Sequence, residues 1–448
     1  MRAHDYDVII VGARCAGATL AAFLARAGGA HVLLVDKDAL PSEYVVSTHG
    51  ISPAGMDVLD AVGVGDAVRA VTPPARVIRL NAEGTILDAQ LPEGRAEYCP
   101  RRERLDGLLQ QAAVNAGAEL RDRSQVTSLI RHGDRVSGVR VLQGGREWLF
   151  TAGLVVGADG RHSTVARLVE AQEYLGYDAQ RAAYWGYWDA PTFWHTDAAY
   201  RFDMYFSHFG GETGVVFPTD HNQLLIGSWP SADRTASWRA DPERTLCTVL
   251  ASEPVIGPLL RQSRPVGKVR GTLKERFFFR TGVGNGWVLV GDAGHHKDFV
   301  IGDGITEALL QARSLAAAIA TGSDAALVRW WRARDVAALP WYHFGKEAGA
   351  PGPLPELLRV FFSRLAAHPT LKARIIEAVD RRQSPVDITL AWYVARWTLA
   401  AAMRGRPQVL ADLLATAGRA AGTYRELRTR RRLLAIADSP AAHGEVPT

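Results

Sequence analysis

One arrangement, present twice, constrains this chain more than anything else in it. An apolar run, Val8 to Val11, breaks at Gly12 and passes through Ala13, Arg14, Cys15 and Ala16 to Gly17 and a helical stretch. Far along the chain, Trp287 to Val290 breaks at Gly291-Asp292, and a glycine-flanked loop leads to a second helical stretch, Ile305 to Ala320. A strand that ends in a glycine turn before a helix brings backbone N–H groups and the positive end of the helix dipole to one point, where phosphate binds well. A single copy suits any dinucleotide. Two copies separated by most of the chain predict one long ligand held at both ends, and FAD is the common ligand of that shape.

The chain is long enough to bury a large core, at 448 residues, and to hold about two or three domains. Its net charge of +5 comes with far more Arg than Lys and abundant Ala, a pattern of genome composition as much as of a polyanion partner. The dense basic run Arg425 to Arg432 reads as a solvated helix face, with contact to acidic lipid, protein or nucleic acid as the alternative. No nucleic acid is expected as a partner. Cys15, Cys99 and Cys247 are the only cysteines and form no CxxC, so neither a disulfide framework nor a metal site is expected and a reducing cytoplasm fits. With a first strand beginning by Tyr6, no signal peptide is expected. The apolar stretch Ile388 to Met403 is interrupted by Arg396 and is too short to span a membrane, so it reads as a buried or dimer-facing helix of a monomer or homodimer.

These patterns predict an α/β fold: a Rossmann-like FAD-binding domain with an inserted β-meander, a second antiparallel sheet for the substrate, and a helical C-terminal region. The boundaries expected are 1–73, 98–177 and 266–325 for the first, 74–97 and 178–265 for the second, and 326–448 for the third. The opening unit is strand Tyr6 to Val11, helix Ala16 to Ala27 stopped by Gly28-Gly29, and strand His31 to Val35 ending at Asp36. A helix over Arg104 to Ala116 follows, then strands at Val126 to Arg131, Val136 to Val141 and Trp148 to Phe150, and a separate strand Leu154 to Gly157. From Ala182 to Trp229 the period becomes two; Tyr200, Phe202, Met204 and Phe206 would face a core, and Arg201, Asp203 and Tyr205 the other side. Pro351, Pro353, Pro355, Pro369 and Pro385 mark breaks between later helices.

In the first loop Gly12 and Gly17 hold two of the three G-x-G-x-x-G positions, and Arg14 replaces the middle glycine, where its guanidinium could meet a phosphate directly. Asp36 stands at a strand end, where a carboxylate bonds an adenosine ribose hydroxyl. Three further segments give the set its specificity. Gly157 to Arg167, containing Asp159-Gly160, resembles the "DG" motif of the flavoprotein monooxygenase family typified by p-hydroxybenzoate hydroxylase. Gly291-Asp292 resembles that family's "GD" motif, and Arg102 to Asp106 its R-x-x-L-D segment, all in the family's order across roughly residues 5 to 325.

The resemblance implies a flavin set of Gly12, Ala13, Arg14, Cys15, Ala16, Gly17, Asp36, Lys37, Arg102, Val126, Asp159, Gly291, Asp292, Gly302, Gly304 and Ile305. Arg102 would reach the FAD phosphates or ribityl chain, and Asp292 the ribityl or pyrophosphate oxygens. Asp159 would mainly hold structure, between FAD and the approach of NAD(P)H. Residues Gly302 to Thr306 would lie under the isoalloxazine N1–C2=O edge, where a helix N-terminus stabilises the negative charge of reduced flavin. Many relatives carry proline where Phe299 follows Asp298, so the wall beside the ring is expected to differ. His296, with its neighbours His295 and Lys297, and His49 are the titratable candidates for catalysis; loop hydrogen bonding and a surface position are the alternatives. Tyr187, Tyr205, Trp229 and Phe299 are the candidates for an apolar substrate pocket.

The activity implied is an FAD-dependent monooxygenase. NAD(P)H would be the transient electron donor, and O₂ would hydroxylate or epoxidise a small apolar, aromatic or polyketide-like molecule through a flavin C4a-hydroperoxide. Geranylgeranyl reductases and flavin halogenases share the motif set. An isoprenoid double-bond reductase is therefore the alternative, followed by a halogenase and a non-catalytic carrier.

Overall fold

The computed structural model describes residues 4–26, 29–42, 47–381 and 391–437. Tyr6–Val11 is the hub of the first sheet, parallel to Val32–Val35 on one side and to the end of Arg146–Gly157 on the other. Glu119–Arg121 and Trp287–Leu289 extend the parallel set outward. Alternate side chains of these strands enter two different cores. Val8, Ile10, Val32, Leu34, Val156 and Val288 face helices Cys15–Arg26, Arg102–Asn115 and Gly304–Ala320. Ile9, Val11, Leu33, Val35, Val155 and Leu289 face the meander strands Gln125–His132 and Arg135–Gln143. Burial on both faces is why these strands read as unbroken apolar runs.

Two expectations change here. The predicted strands Trp148 to Phe150 and Leu154 to Gly157 are one strand of 12 residues, Arg146–Gly157. Its first part pairs with the meander and its second with Tyr6–Val11, so one strand belongs to both layers. The predicted helix Ala16 to Ala27 is present as Cys15–Arg26; Ala27 and Gly28 lie outside the described residues.

The second sheet has the order Pro265–Thr272, Ala183–Asp189, Gln223–Ser228, Glu212–Thr219, Met204–Phe209, Val77–Ala82, Thr85–Gln90. It is antiparallel except where Met204–Phe209 runs parallel to Val77–Ala82. Both of its faces are buried. Trp185, Met204, Phe217, Leu225 and Trp229 form one core with helices Glu356–Ala366 and Pro369–Val379. Tyr184, Trp188, Tyr205, Val216 and Ile226 form the other, under helices Pro242–Leu250 and Ile256–Gln262. The alternation expected from Tyr200 onward therefore starts later, because Ala198–Tyr200 is a helical turn and the strand begins at Met204. A small third sheet joins Glu173–Asp178, Arg276–Arg280 and His295-His296.

After Gly304 the described chain is helical, with Asp324–Ala348 the long strut and Pro340 inside it. Pro351, Pro353 and Pro355 fall between helices and Pro369 starts one; Pro385 lies outside the described residues. Ile388 to Leu390 do too, and the rest of that stretch, Ala391–Met403, leaves Leu399 and Met403 exposed rather than buried. Arg425 and Arg428 of the basic run are exposed on helix Gln408–Ala437. No described helix is long and apolar enough to cross a membrane.

Candidate functional site

The C-terminal ends of Tyr6–Val11, Val32–Val35 and Arg146–Gly157 open onto a cleft of about 960 Å³. Clefts at the carboxyl ends of parallel strands are where such sheets bind ligands, and this one is at the upper end of ordinary ligand-pocket volumes. Asp36, Lys37 and Val126 line it beside the parallel strand ends, Arg102 and Asp292 line it too, and Trp185, Trp229 and Phe299 are its aromatic part.

At the first end, Gly12 has φ +104°, and a Cβ there would stand 2.5 Å from the Ala158 carbonyl oxygen. Gly17 is as crowded, with a hypothetical Cβ 1.8 Å from the Gly12 carbonyl oxygen. Only glycine lets loop, helix and the Asp159 strand end approach so closely. The Ala13 N–H donates to Asp36 Oδ2 at 2.7 Å and the Asp38 N–H to Oδ1 at 3.0 Å, which fixes the carboxylate at the loop. Burial raises the Asp36 pKa against these bonds. Arg14 pairs with Asp38 at 3.0 Å across the cleft rim. Cys15 donates its thiol to Asp106 Oδ1 at 3.2 Å, and Arg102 donates to the same oxygen at 3.1 Å. Arg102 Nε is buried on the cleft without a partner. Asp159 accepts from Ser163 Oγ and from the Thr164 and Val165 N–H groups, so it caps Thr164–Leu168 as well as lining the cleft.

Gly291, at φ +61°, turns the chain so that Asp292 enters the cleft. His296 Nδ1 stands 3.3 Å from Asp292 Oδ1, and its Nε2 stands 3.7 Å from Glu275 Oε2, which also pairs with Arg161 at 3.0 Å. Burial pulls the His296 pKa down, but the two carboxylates outweigh it and raise it to about 9. His295 takes the other side: burial, with Arg334 and Lys297, drives it well below the ordinary value, and Gln311 bonds its Nδ1. Of the adjacent pair, the charged imidazole stands between the two carboxylates and the neutral one against Gln311 and Phe279.

A raised imidazole pKa ties stability to pH. The contribution of His296 is fully present below its ordinary value of 6.5 and is lost as pH rises through about 9. The Tm of flavin-free protein should therefore fall over that interval more steeply than the Tm of His296→Asn. Parallel curves would contradict the assignment.

Where the second helix begins, Asp303 is the N-cap residue and Glu307 lies in the first turn. Lys297 reaches both, at 3.2 and 2.6 Å. Arg381, from the C-terminal helices, donates its Nε to Asp303 at 3.1 Å and an Nη to Glu307 at 2.6 Å. Burial lowers Lys297 to about 8. Phe299 packs on Phe277 at 5.8 Å, and the preceding Asp298 caps its own turn through the Val300 N–H at 3.0 Å. That cap orders the turn that carries Phe299.

At the apolar end, His49 is buried with φ +69°; its Nε2 stands 2.5 Å from the Tyr187 hydroxyl and its Nδ1 has no partner. Burial and the cations Arg102, Arg101 and Arg270 lower the His49 pKa to about 3, so the ring is neutral. The Arg101 guanidinium lies 4.0 Å over the Tyr187 ring.

Most of the expected residues meet on this one cleft: Gly12, Arg14, Cys15, Ala16, Asp36, Lys37, His49, Arg102, Val126, Asp159, Gly291, Asp292, His296, Phe299, Gly302, Gly304, Ile305 and Trp229 line it. Ala13 and Gly17 stand behind its wall, and Tyr187 touches it through His49. Tyr205 does not belong. It is wholly buried on the opposite face of the sheet, where its hydroxyl donates to Glu253 at 2.6 Å. Sequence pattern missed Glu275 and Arg381, which have no local signal, and gave no role to Arg161, which follows Asp159-Gly160 in a recognised segment; Trp185, one of the aromatic residues of the second sheet, lines the cleft with Trp229.

The residues of the cleft fit FAD: two glycines let the first loop close on the Ala158-Asp159 strand end, the loop already orients the Asp36 carboxylate, and Arg102, which lines the cleft, keeps a buried guanidinium N–H without a partner. Residues 5–326 match the family described as the FAD binding domain. The digeranylgeranylglycerophospholipid reductase of Methanosarcina acetivorans is 27% identical over 308 residues, 68% of this chain and 72% of that protein. A Streptomyces rimosus protein, the 12-dehydrotetracycline 5-monooxygenase/anhydrotetracycline 6-monooxygenase, is 33% identical over 168 residues, 37% of this chain and 32% of that one. The solved ternary complex of aklavinone-11 hydroxylase with FAD and aklavinone shares the fold, with a TM-score of 0.65 and 23% identity over 78% of this chain and 69% of that chain. By this match and this cleft, the chain belongs to the FAD-binding-domain family and is a flavin-dependent oxidoreductase.

Proposed function

We propose that the chain is an FAD-dependent monooxygenase that uses NAD(P)H and O₂ to oxygenate a small apolar organic molecule in a reducing cytoplasm. On this reading residues 1–73, 98–177 and 273–325 hold FAD, 74–97 and 178–272 form the substrate domain, and 326–448 the helical region; the boundary expected at 265 moves because Pro265–Thr272 is the edge strand of the second sheet. The observation that carries it is a single cleft running from a ribose-type carboxylate, Asp36, to an aromatic end at Trp185, Trp229 and Phe299.

Bound FAD supplies electron acceptance from NAD(P)H and activation of O₂. Asp36 and the Gly12 loop would hold its adenosine end, Arg102 and Asp292 its middle, and the helix starting at Gly304 its ring. His296, held protonated by Asp292 and Glu275, keeps a proton beside the cleft at pH values where an ordinary imidazole has lost it. His49, neutral and bonded to Tyr187, lines the cleft and keeps a buried Nδ1 without a partner, which would serve as the polar anchor of a substrate hydroxyl or carbonyl. The indoles and Phe299 supply the apolar contact area.

A screen of small aromatic and polyketide-like compounds for stimulated NAD(P)H oxidation tests this. At least one compound should accelerate oxidation by the FAD-loaded protein, and none doing so would remove the reading's support. The second reading, an isoprenoid double-bond reductase, is favoured by similarity to the archaeal reductase over two thirds of the chain. Anaerobic turnover separates the two, because a reductase keeps its rate without O₂ and a monooxygenase stops.

A further inference from the structure

The N-cap and first turn of helix Gly304–Ala320 carry one carboxylate each, Asp303 and Glu307, on the cleft. A helix N-terminus presents about half a positive elementary charge, and Asp303 and Glu307 together would more than cancel it. Neither acts as a cap: the Asp303 side chain makes no capping bond to its own helix. Instead, Lys297 and Arg381 each bridge both acids. Gln311 donates to the remaining Glu307 oxygen at 3.0 Å. The Arg381 guanidinium also lies 4.0 Å over the Trp341 ring. All four ionic side chains are at most 15% exposed, so their fields are weakly screened.

We infer that Arg381 is a positioning residue that, with Lys297, neutralises Asp303 and Glu307 and so restores the positive helix end beside the flavin ring. This rests on the reading that the ring of FAD lies over Gly302 to Thr306. Arg381 lies outside residues 5–326, the part matched by the family, so the C-terminal helices complete the electrostatics of the shared domain. The Arg381 N–H bonds back to the Ala378 carbonyl at 2.9 Å just past helix Pro369–Val379, which places the guanidinium against the flavin loop. Loss of Arg381 leaves one uncompensated negative charge at the helix end. Reduced flavin, which carries added negative charge, is then disfavoured relative to oxidised flavin.

Reductive titration of the FAD-loaded protein against reference dyes reads this directly. The midpoint potential should become more negative in Arg381→Met and stay near the wild-type value in Arg381→Lys. It should become more positive in Asp303→Asn, and return toward wild type in the double variant Arg381→Met/Asp303→Asn, although the clasp is then broken at both ends. A purely structural role predicts that the double variant is displaced at least as far as Arg381→Met. That result, or an unchanged potential in Arg381→Met, overturns the inference. Should Arg381→Met lose its FAD, the sign of the shift in Asp303→Asn decides. Wild-type protein that binds no FAD would instead defeat the functional reading itself.

Discussion

Gly12→Val should purify without FAD, with affinity reduced about 100-fold or more, which corresponds to about 2.7 kcal/mol. Two separate costs add at this position. The backbone φ of +104° is one that a β-branched residue avoids, at about 1–3 kcal/mol. The added Cβ would also lie 2.5 Å from the Ala158 carbonyl oxygen and 2.8 Å from Asp159 Cα, an overpacking of about 1–3 kcal/mol. Neither neighbour can retreat, since the Ala158 N–H is bonded to the Val11 carbonyl at 2.7 Å and Gly17 closes the loop from the other side. Gly133→Ala is the control: it has a positive φ too, but nothing lies within 4 Å of its added Cβ. Visible absorbance of the purified variants and fluorescence titration with FAD give the comparison. A Gly12→Val protein that keeps stoichiometric FAD would mean that the loop is not the cradle.

Lys297→Met should lower the unfolding free energy by about 3–5 kcal/mol, the usual cost of leaving a buried charge without its partner. The side chain is 5% exposed and joins Asp303 and Glu307, both themselves largely buried. With the lysine gone, Arg381 alone faces two carboxylates. Lys297→Met/Glu307→Gln removes one charge of each sign and should recover much of the loss, because Arg381 and Asp303 then remain as a neutral pair. Denaturant unfolding of the flavin-free proteins measures both. A loss below about 1 kcal/mol in the single variant, as for an exposed ion pair, would contradict the buried cluster.

The parallel sheet and its glycine turns were legible because their constraints are local. Tyr6–Val11 is apolar on both faces, and the turn after it needs glycine at fixed offsets. Asp36 followed from its place at a strand end, and Arg102 and Asp292 from the resemblance of their segments to family motifs; all three share the cleft. Local pattern failed where one segment serves two partners. Arg146–Gly157 looked like two strands because its first part has an exposed face and its second has none. Tyr205 looked like a pocket residue because alternation gives the two faces of a strand but not which one meets the cleft; helices Pro242–Leu250 and Ile256–Gln262 cover its side. Arg381 was invisible for a different reason. Its partners are about 75 residues away, and nothing near it in sequence marks it as more than a helix-end cation.

Oxygen insertion at the flavin cleft is tested most directly by supplying isotopically heavy O₂. The FAD-loaded protein would be given NAD(P)H and whichever compound most stimulates its oxidation, and the product weighed by mass spectrometry. One heavy oxygen atom per product molecule is predicted, with no product when O₂ is withheld. Unlabelled product, or full turnover without O₂, would contradict the monooxygenase and leave the reductase.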